Sequence, residues 1–395
     1  MSRKRAPAAA RSFAWRADFD RQDFLARVWQ RKPFLIRQAW AAWRNPLAPE
    51  ELAGLACEPE VEARLVLRDK QRWRLEHGPL RPARFARLPK RNWTLLVQAV
   101  DHAVPAVAAL LDAFRFLPDW RIDDVMVSYA VDGGSVGPHF DQYDVFLVQG
   151  LGQRRWQVGP RCAADTPLLN HAQLRLLPDF AIKHDWLLEA GDILYLPPGY
   201  AHHGIGVGDD CMTYSIGFRA PARAELVGDW ANAVIENLRE DDRYTDADLA
   251  LSDNPAELDA ATLARLQGMV SAALADPAAF ALWFGRHATA RKYPELKDRP
   301  TRAIRAPQLI KRLERGARLK RHPASRYAFL RVKRGIHLFV DGEVMACQGP
   351  VARFAERLCG AAAWRIGADD LRAAPSRQLA VVLYNFGALL FDDGS

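Results

Sequence analysis

Between about residues 121 and 220 the chain changes character, and this stretch limits the possible fold more than any other. Short runs rich in β-branched and aromatic residues alternate there with Gly, Pro and Asp. The expected strands are 124–130, 143–149, 154–158, 186–189, 193–196 and 211–218. Several short strands with turn residues between them predict a sandwich or barrel of the jelly-roll kind. The flanks differ. Upstream, 20–31 and 47–57 read as helices, 34–36 and 93–98 as strands, and 103–115 as a helical connection. Downstream, Leu226, Trp230, Val234, Ile235 and Leu238 recur at helical spacing within 222–240. Residues 255–290 predict two more helices, broken at Ala-Asp-Pro 275–277. The last block predicts a basic helix (307–320), a hairpin around Asp341-Gly342, a helix at 350–359 and another around 367–373. Two apolar strands, 378–384 and 388–391, are expected to close it, joined at Asn385-Phe386-Gly387. Helices followed by a terminal hairpin suggest a winged-helix-like module.

A length of 395 residues allows two or three domains. No apolar run reaches the ~18–20 residues of a membrane helix. Met1 to Arg11 is basic and Ala-rich without an apolar core, which predicts a disordered tail and not a secretory signal. The five cysteines (Cys57, Cys162, Cys211, Cys347, Cys359) form no Cys-x-x-Cys pair and are odd in number. That argues against a disulfide framework or a structural zinc, and fits a reducing cytoplasm. The net charge of +8 is concentrated. Between Arg302 and Arg334 twelve basic residues face one acid, Glu314, a surplus of +11 that leaves the rest of the chain at −3. Such a segment favours a polyanion such as RNA. A solvated helix followed by an Arg-rich strand is the plainer alternative, and no RNA-binding motif accompanies it.

The chemistry concentrates in two runs. The first is Gly-Pro-His-Phe-Asp (137–141). Residues i and i+2 of an extended segment share a face, so His139 and Asp141 project together. The second is Gly-Asp-Ile-Leu-Tyr-Leu-Pro-Pro-Gly-Tyr-Ala-His-His-Gly (191–204). Its Pro-Pro-Gly corner delivers His202 or His203 from a stiff loop. Two histidines and a carboxylate on a β scaffold suit a facial triad for non-haem Fe(II), with positions left open for a co-substrate and O2. A lone His-x-Asp is common by chance; the two glycine- and proline-framed approaches to histidine together are not. His77, His102, His171, His184, His287, His322 and His337 lack ligand spacing.

The run 137–156, ending Gln-Gly-Leu-Gly-Gln-Arg-Arg-Trp, resembles the JmjC/cupin ribosomal oxygenases, particularly the bacterial ribosomal protein arginine hydroxylase group. So do the run 191–204 and Trp-Gln-Arg-Lys-Pro-Phe-Leu-Ile (29–36). The resemblance spans 20–220 well and is thinner beyond 222. It implies an α+β chain with a double-stranded β-helix core of the jelly-roll, JmjC type. The expected division is an N-terminal extension packing on the core (1–95), a catalytic domain (96–221), a helical dimerisation domain (222–300) and a winged-helix-like domain (301–395). It implies Fe(II) held by His139, Asp141 and His202, with His203 a supporting or surface residue. It also implies 2-oxoglutarate and O2 as co-substrates.

By the same resemblance Arg154 takes the far carboxylate of 2-oxoglutarate, while Arg155 points away by strand alternation. Ser128 and Ser215 are candidate additional donors. A substrate arginine needs acceptors, for which Asp132, Tyr143 and Asp144 are candidates. The implied function is hydroxylation of an arginine of a large-subunit ribosomal protein; the apolar helical faces at 226–238 and 261–283 predict a homodimer, and the cysteine pattern a cytoplasmic one. The same chemistry on a histidine or lysine, and a metal-binding cupin without activity, are the alternatives. Substrate mapping and 2-oxoglutarate turnover separate them.

Overall fold

The computed structural model describes residues 13–40, 42–70, 72–251, 253–296 and 299–392. The expectation for Met1 to Arg11 lies outside them. Fourteen strands are described, in chain order: β1 (Phe34–Ile36), β2 (Ala63–Asp69), β3 (Arg72–His77), β4 (Trp93–Val97), β5 (Ile122–Ala130), β6 (Asp144–Arg161), β7 (His184–Leu188), β8 (Ile193–Leu196), β9 (Tyr200–Phe218), β10 (Leu319–Arg321), β11 (Tyr327–Val332), β12 (Gly335–Val340), β13 (Glu343–Cys347) and β14 (Leu389–Phe391). The chain divides into two compact units. The first runs through Ala220 and takes in Lys292–Ser325 and Gly360 onward; the second is Pro221–Arg291 with Arg326–Cys359.

The first unit holds a nine-stranded antiparallel sheet in the order β1-β8-β6-β9-β5-β4-β2-β3, with β7 also paired to β6, and a separate two-stranded sheet, β10-β14. The segments expected as separate strands at 143–149 and 154–158 are a single strand, β6. The glycines between them are absorbed by register shifts against β9 and do not end the strand. The expected 211–218 is likewise the second half of β9. Alternation then sorts the side chains. Phe146 and Val148 join a core cluster with Phe24, Trp40, Phe114, Tyr195 and Tyr214. On the other face, Val145, Leu147, Trp156, Val158, Leu188, Leu194 and Leu196 form a second cluster, which borders the site. The hairpin β2–β3 was not anticipated, because its Arg- and Glu-rich alternation hides a strand that is apolar on one face only.

Several helices are shorter than expected. The first stops at Arg27 and the basic one, Ala306–Glu314, at Glu314. Within 103–115 the helix Pro105–Ala108 passes into a 3-10 turn, Ala109–Phe114, and 367–373 holds only the 3-10 turn Asp369–Leu371. One expectation is overturned. Residues 378–384 are not a strand but lie in the helix Ala374–Asn385, which opens on Pro375 and buries Leu379, Ala380, Val381 and Leu383. The terminal hairpin therefore does not form, and β14 pairs with β10 instead.

In the second unit the helices Arg223–Ile235, Ala260–Leu274 and Pro277–Thr289 gather around Trp230, whose ring meets Phe280 and Trp283 at 5.5 and 5.4 Å. The sheet β11-β12-β13 turns at Asp341-Gly342, as the Asp-Gly pair predicts. Among the described residues no single helix is long and apolar enough to cross a membrane.

Candidate metal and co-substrate site

His139 lies just before β6 and meets His202, near the start of β9, in an isolated antiparallel bridge. The backbone N–H of His139 donates to the His202 carbonyl at 3.0 Å, and that of His202 to the His139 carbonyl at 2.8 Å. The Pro-Pro-Gly corner is tied to the same place. Gly199, at φ +83° where only glycine is relaxed, donates its N–H to the Asp141 carbonyl at 2.6 Å. These backbone bonds bring three side chains together. Oδ2 of Asp141 lies 3.9 Å from Nε2 of His139 and 3.7 Å from Nε2 of His202. One donor atom from each of the three falls within 4.8 Å of the others.

The imidazoles are prepared as ligands. Nδ1 of His139 lies 2.9 Å from the Gly137 carbonyl, and Nδ1 of His202 lies 2.9 Å from the Tyr200 carbonyl. A carbonyl only accepts, so each Nδ1 carries the hydrogen and each Nε2 presents its lone pair toward Asp141. Burial, and then the neighbouring His139, push the His202 pKa down to about 4, against the opposing pull of Asp141, so the ring is neutral. Two imidazole nitrogens and one carboxylate oxygen on a rigid backbone are a donor set that fits a divalent metal such as Fe(II). His203, one residue along the extended segment, points to the other side. Its pKa is also lowered to about 4, by burial and then by His139 and Arg68.

Arg154 sits on β6 with 5 % of its surface exposed. Its Nε donates to Sγ of Cys211 at 3.3 Å, and its Nη2, buried, has no hydrogen-bond partner among the described residues. Its guanidinium is 5.8 Å from the Trp156 ring, which is in turn 5.9 Å from the His202 ring. Arg155 turns outward and pairs with both oxygens of Asp185 at 2.7 Å. Cross-strand partners share a face. Ser128 stands opposite Thr213, Thr213 opposite Gln149, and Ser215 opposite Leu147. Ser128 and Ser215 are both buried and belong to the face that carries Leu147. A buried cation with an unused nitrogen fits a carboxylate.

The sequence agrees with this geometry. Residues 109–226 match the JmjC domain model and residues 272–389 the ROXA-like winged helix model. Over 263 residues the chain is 42% identical to the ribosomal protein uL16 3-hydroxylase of Escherichia coli (strain K12), which covers 67% of this chain and 69% of that protein. The chain belongs to the JmjC ribosomal oxygenases. A probable ribosomal oxygenase of Haemophilus influenzae is 41% identical over 206 residues, 52% of this chain and 50% of its own. The solved structure of the Escherichia coli ribosomal oxygenase YcfD in complex with cobalt and 2-oxoglutarate superposes with a TM-score of 0.84 at 34% identity, covering 96% of this chain and 99% of that one.

The three residues expected to meet substrate fare differently in this ribosomal oxygenase. Tyr143 keeps 43 % of its surface exposed. Its hydroxyl end is nonetheless desolvated, and burial and then the Asp141 carboxylate hold its pKa well above the usual phenol value. Asp132 lies in the turn beyond β5. It pairs with Arg91 and accepts from the Gly208 N–H at 3.1 Å. Asp144 is fully buried. It pairs with Arg121 at 2.8 Å and accepts from the Tyr195 hydroxyl at 2.6 Å and from Gln30 at 2.9 Å. Asp144 thus anchors β6 and has no surface left for a ligand. Sequence reasoning missed Cys211, which accepts from Arg154, and Gln149 and Thr213, which are linked to it in turn. The signal was present in part: Cys211, Thr213 and Ser215 are spaced by two along β9, a polar face in an otherwise apolar run.

Proposed function

We propose that this chain is an Fe(II)- and 2-oxoglutarate-dependent oxygenase that hydroxylates an arginine side chain of the large-subunit ribosomal protein uL16. The observation that carries this reading is the pairing of a His-Asp-His face with a buried arginine whose Nη2 has no hydrogen-bond partner among the described residues. The 42% identity to the uL16 3-hydroxylase supports the target. With iron, 2-oxoglutarate and O2 bound, oxidative decarboxylation of the co-substrate to succinate and CO2 supplies the power to place one oxygen atom in an unactivated C–H bond.

The chain's residues do the rest. His139, Asp141 and His202 would hold the metal through two imidazole nitrogens and one carboxylate oxygen. Arg154 takes the far carboxylate of 2-oxoglutarate, with Ser128 and Ser215 as hydroxyl donors. Trp156, Leu147, Leu194 and Leu196 wall the site against water. Asp132 already pairs with one guanidinium, that of Arg91, and is the acceptor a substrate arginine would take over; Tyr143 offers a flat wall beside the metal-binding carboxylate. Residues 96–221 are the catalytic domain in this reading. The helices of 222–300, with Leu263, Leu266 and Val270 exposed, form a homodimer interface, and the enzyme acts in the cytoplasm, where ribosomal proteins are made. Contact of the 302–334 segment with RNA belongs to the same reading.

Incubation of Fe(II)-loaded protein with 2-oxoglutarate and uL16 peptides tests this reading. The expected product gains the mass of one oxygen on an arginine. Turnover of an arginine-free peptide, or oxygen mapped to a histidine or lysine, would overturn the arginine assignment. Absence of succinate formation with intact uL16 would leave a metal-binding cupin without this activity.

A further inference from the structure

A guanidinium at the end of a long flexible side chain does not aim itself. The fold uses one of Arg154's nitrogens for that purpose: Nε donates to Sγ of Cys211 at 3.3 Å. The same sulfur accepts from Nε2 of Gln149 at 3.5 Å. Gln149 is fixed in turn, with Nε2 also reaching the Leu151 carbonyl at 2.8 Å and Oε1 accepting from the Thr213 hydroxyl at 3.0 Å. Cys211 and Gln149 have no exposed surface and Thr213 has 1 %. The register of β6 against β9 shifts on both sides of Leu151, and across these bulges the guanidinium of Arg154 meets the sulfur of Cys211.

We propose that Cys211, held by Gln149 and Thr213, is a positioning residue for 2-oxoglutarate: it occupies Nε of Arg154 and leaves the two Nη nitrogens to grip the far carboxylate end-on. The proposal rests on reading Arg154 as the co-substrate anchor. A carboxylate can engage a guanidinium in two bidentate ways, along the Nε–Nη2 edge or across the Nη1–Nη2 end. With Nε taken, only the end remains, and Nη2 there has no hydrogen-bond partner among the described residues. Sulfur suits this task. It is a weak acceptor, so it orients the cation without taking over its charge, as a carboxylate in its place would. Serine would keep an acceptor on a shorter arm, and alanine would leave Nε unpartnered.

Calorimetric titration of manganese(II)-loaded protein, where binding occurs without turnover, provides the test. The probes are 2-oxoglutarate and oxalate, which chelates the metal but has no far carboxylate. Cys211→Ala should weaken 2-oxoglutarate roughly 10-fold, the scale of one hydrogen bond to a charged group. Cys211→Ser should weaken it less, and oxalate should bind both variants as it binds the native protein. In turnover the KM for 2-oxoglutarate should rise while kcat holds. The double variant Arg154→Ala/Cys211→Ala should bind no more weakly than Arg154→Ala alone. Native 2-oxoglutarate affinity in both Cys211 variants, an equal loss for oxalate, or a full additional loss in the Arg154→Ala background would overturn the role of Cys211. Unchanged 2-oxoglutarate binding in Arg154→Ala would instead remove the anchor itself. Melting temperatures of all variants separate loss of aim from loss of fold.

Discussion

Gly204→Ala adds one methyl group at the point where β9 passes under the indole of Trp156. A Cβ there would lie 2.6, 2.7 and 2.9 Å from Cη2, Cζ3 and Cζ2 of that ring, whereas carbon pairs rest at about 3.5–4.0 Å. The indole must therefore retreat by about 1 Å. It has little room to do so, since Trp156 is 5 % exposed and packs with Val145, Leu147, Val158, Leu188, Leu194 and Leu196. Overpacking of this kind costs about 1–3 kcal/mol, a fall in melting temperature of roughly 2–12 °C. The larger effect falls on chemistry. The ring lies 5.8 Å from the Arg154 guanidinium and 5.9 Å from the His202 ring, and a displacement of about 1 Å at a catalytic centre costs on the order of 100-fold in rate. Succinate formation is thus expected to fall by one to two orders of magnitude in a protein still folded at 25 °C. Trp156→Phe removes the ring atoms at the contact and should restore part of the rate to Gly204→Ala. Native rates and an unchanged melting temperature in the single variant would refute the reasoning, because the methyl would then have displaced nothing.

Asp141→Asn removes the only charged ligand of the triad. It should weaken metal binding by more than the roughly 10–100-fold typical of residues that merely support a ligand; retained metal after dialysis, read by mass spectrometry, would contradict the ligand set. Arg121→Ala leaves the fully buried Asp144 carboxylate with only Tyr195 and Gln30 among the described residues, and should cost about 3–5 kcal/mol in urea unfolding, so a loss below about 1 kcal/mol would mean the carboxylate is compensated elsewhere. Glu76 is held below its ordinary pKa of 4.5 by its hydrogen bonds from Arg84, despite opposing desolvation. A lowered folded pKa contributes stability that is present above the ordinary value and lost as the pH falls through the folded one. Glu76→Gln should therefore flatten the stability profile below about pH 4.5, and an unchanged slope there would argue against the pair. Light scattering should give a dimer, and Leu266→Glu with Val270→Glu should yield a folded monomer; a monomeric native protein would refute the interface.

The metal face was legible because its determinants are local. His139 and Asp141 are fixed by their spacing, and His202 by a corner written into Pro197-Pro198-Gly199. Arg154 could be separated from Arg155 because β6 alternates from 154 onward, and Arg155 does face outward. What stayed hidden depends on distant partners. Asp144 sits close to the motif in sequence, but its fate is decided by Arg121, Tyr195 and Gln30, none of which a local reading connects to it. Cys211 reaches Arg154 only because bulges near Leu151 shift the register, which spacing rules do not foresee. The run Leu379 to Leu383 is apolar at every position, so periodicity alone does not separate a buried strand from a buried helix. Pro375 near the start of the segment was the overlooked sign of a helix beginning.

β6 and β9, 18 and 19 residues long, pair antiparallel over most of their length, with register shifts between Gln149 and Gln153 and between Val158 and Arg161. That ladder carries Arg154, Trp156 and His202, and through the His139 bridge it also sets Asp141. Under the proposed function, metal and co-substrate therefore depend on the same cooperative unit. Amide hydrogens along both strands should exchange together, at a free energy close to that of opening the whole sheet. The turns beyond β5, where Asp132 lies, are outside this ladder. Under the proposed function, change can accumulate there and alter which side chain is presented for oxidation, while the chemistry below it stays as it is.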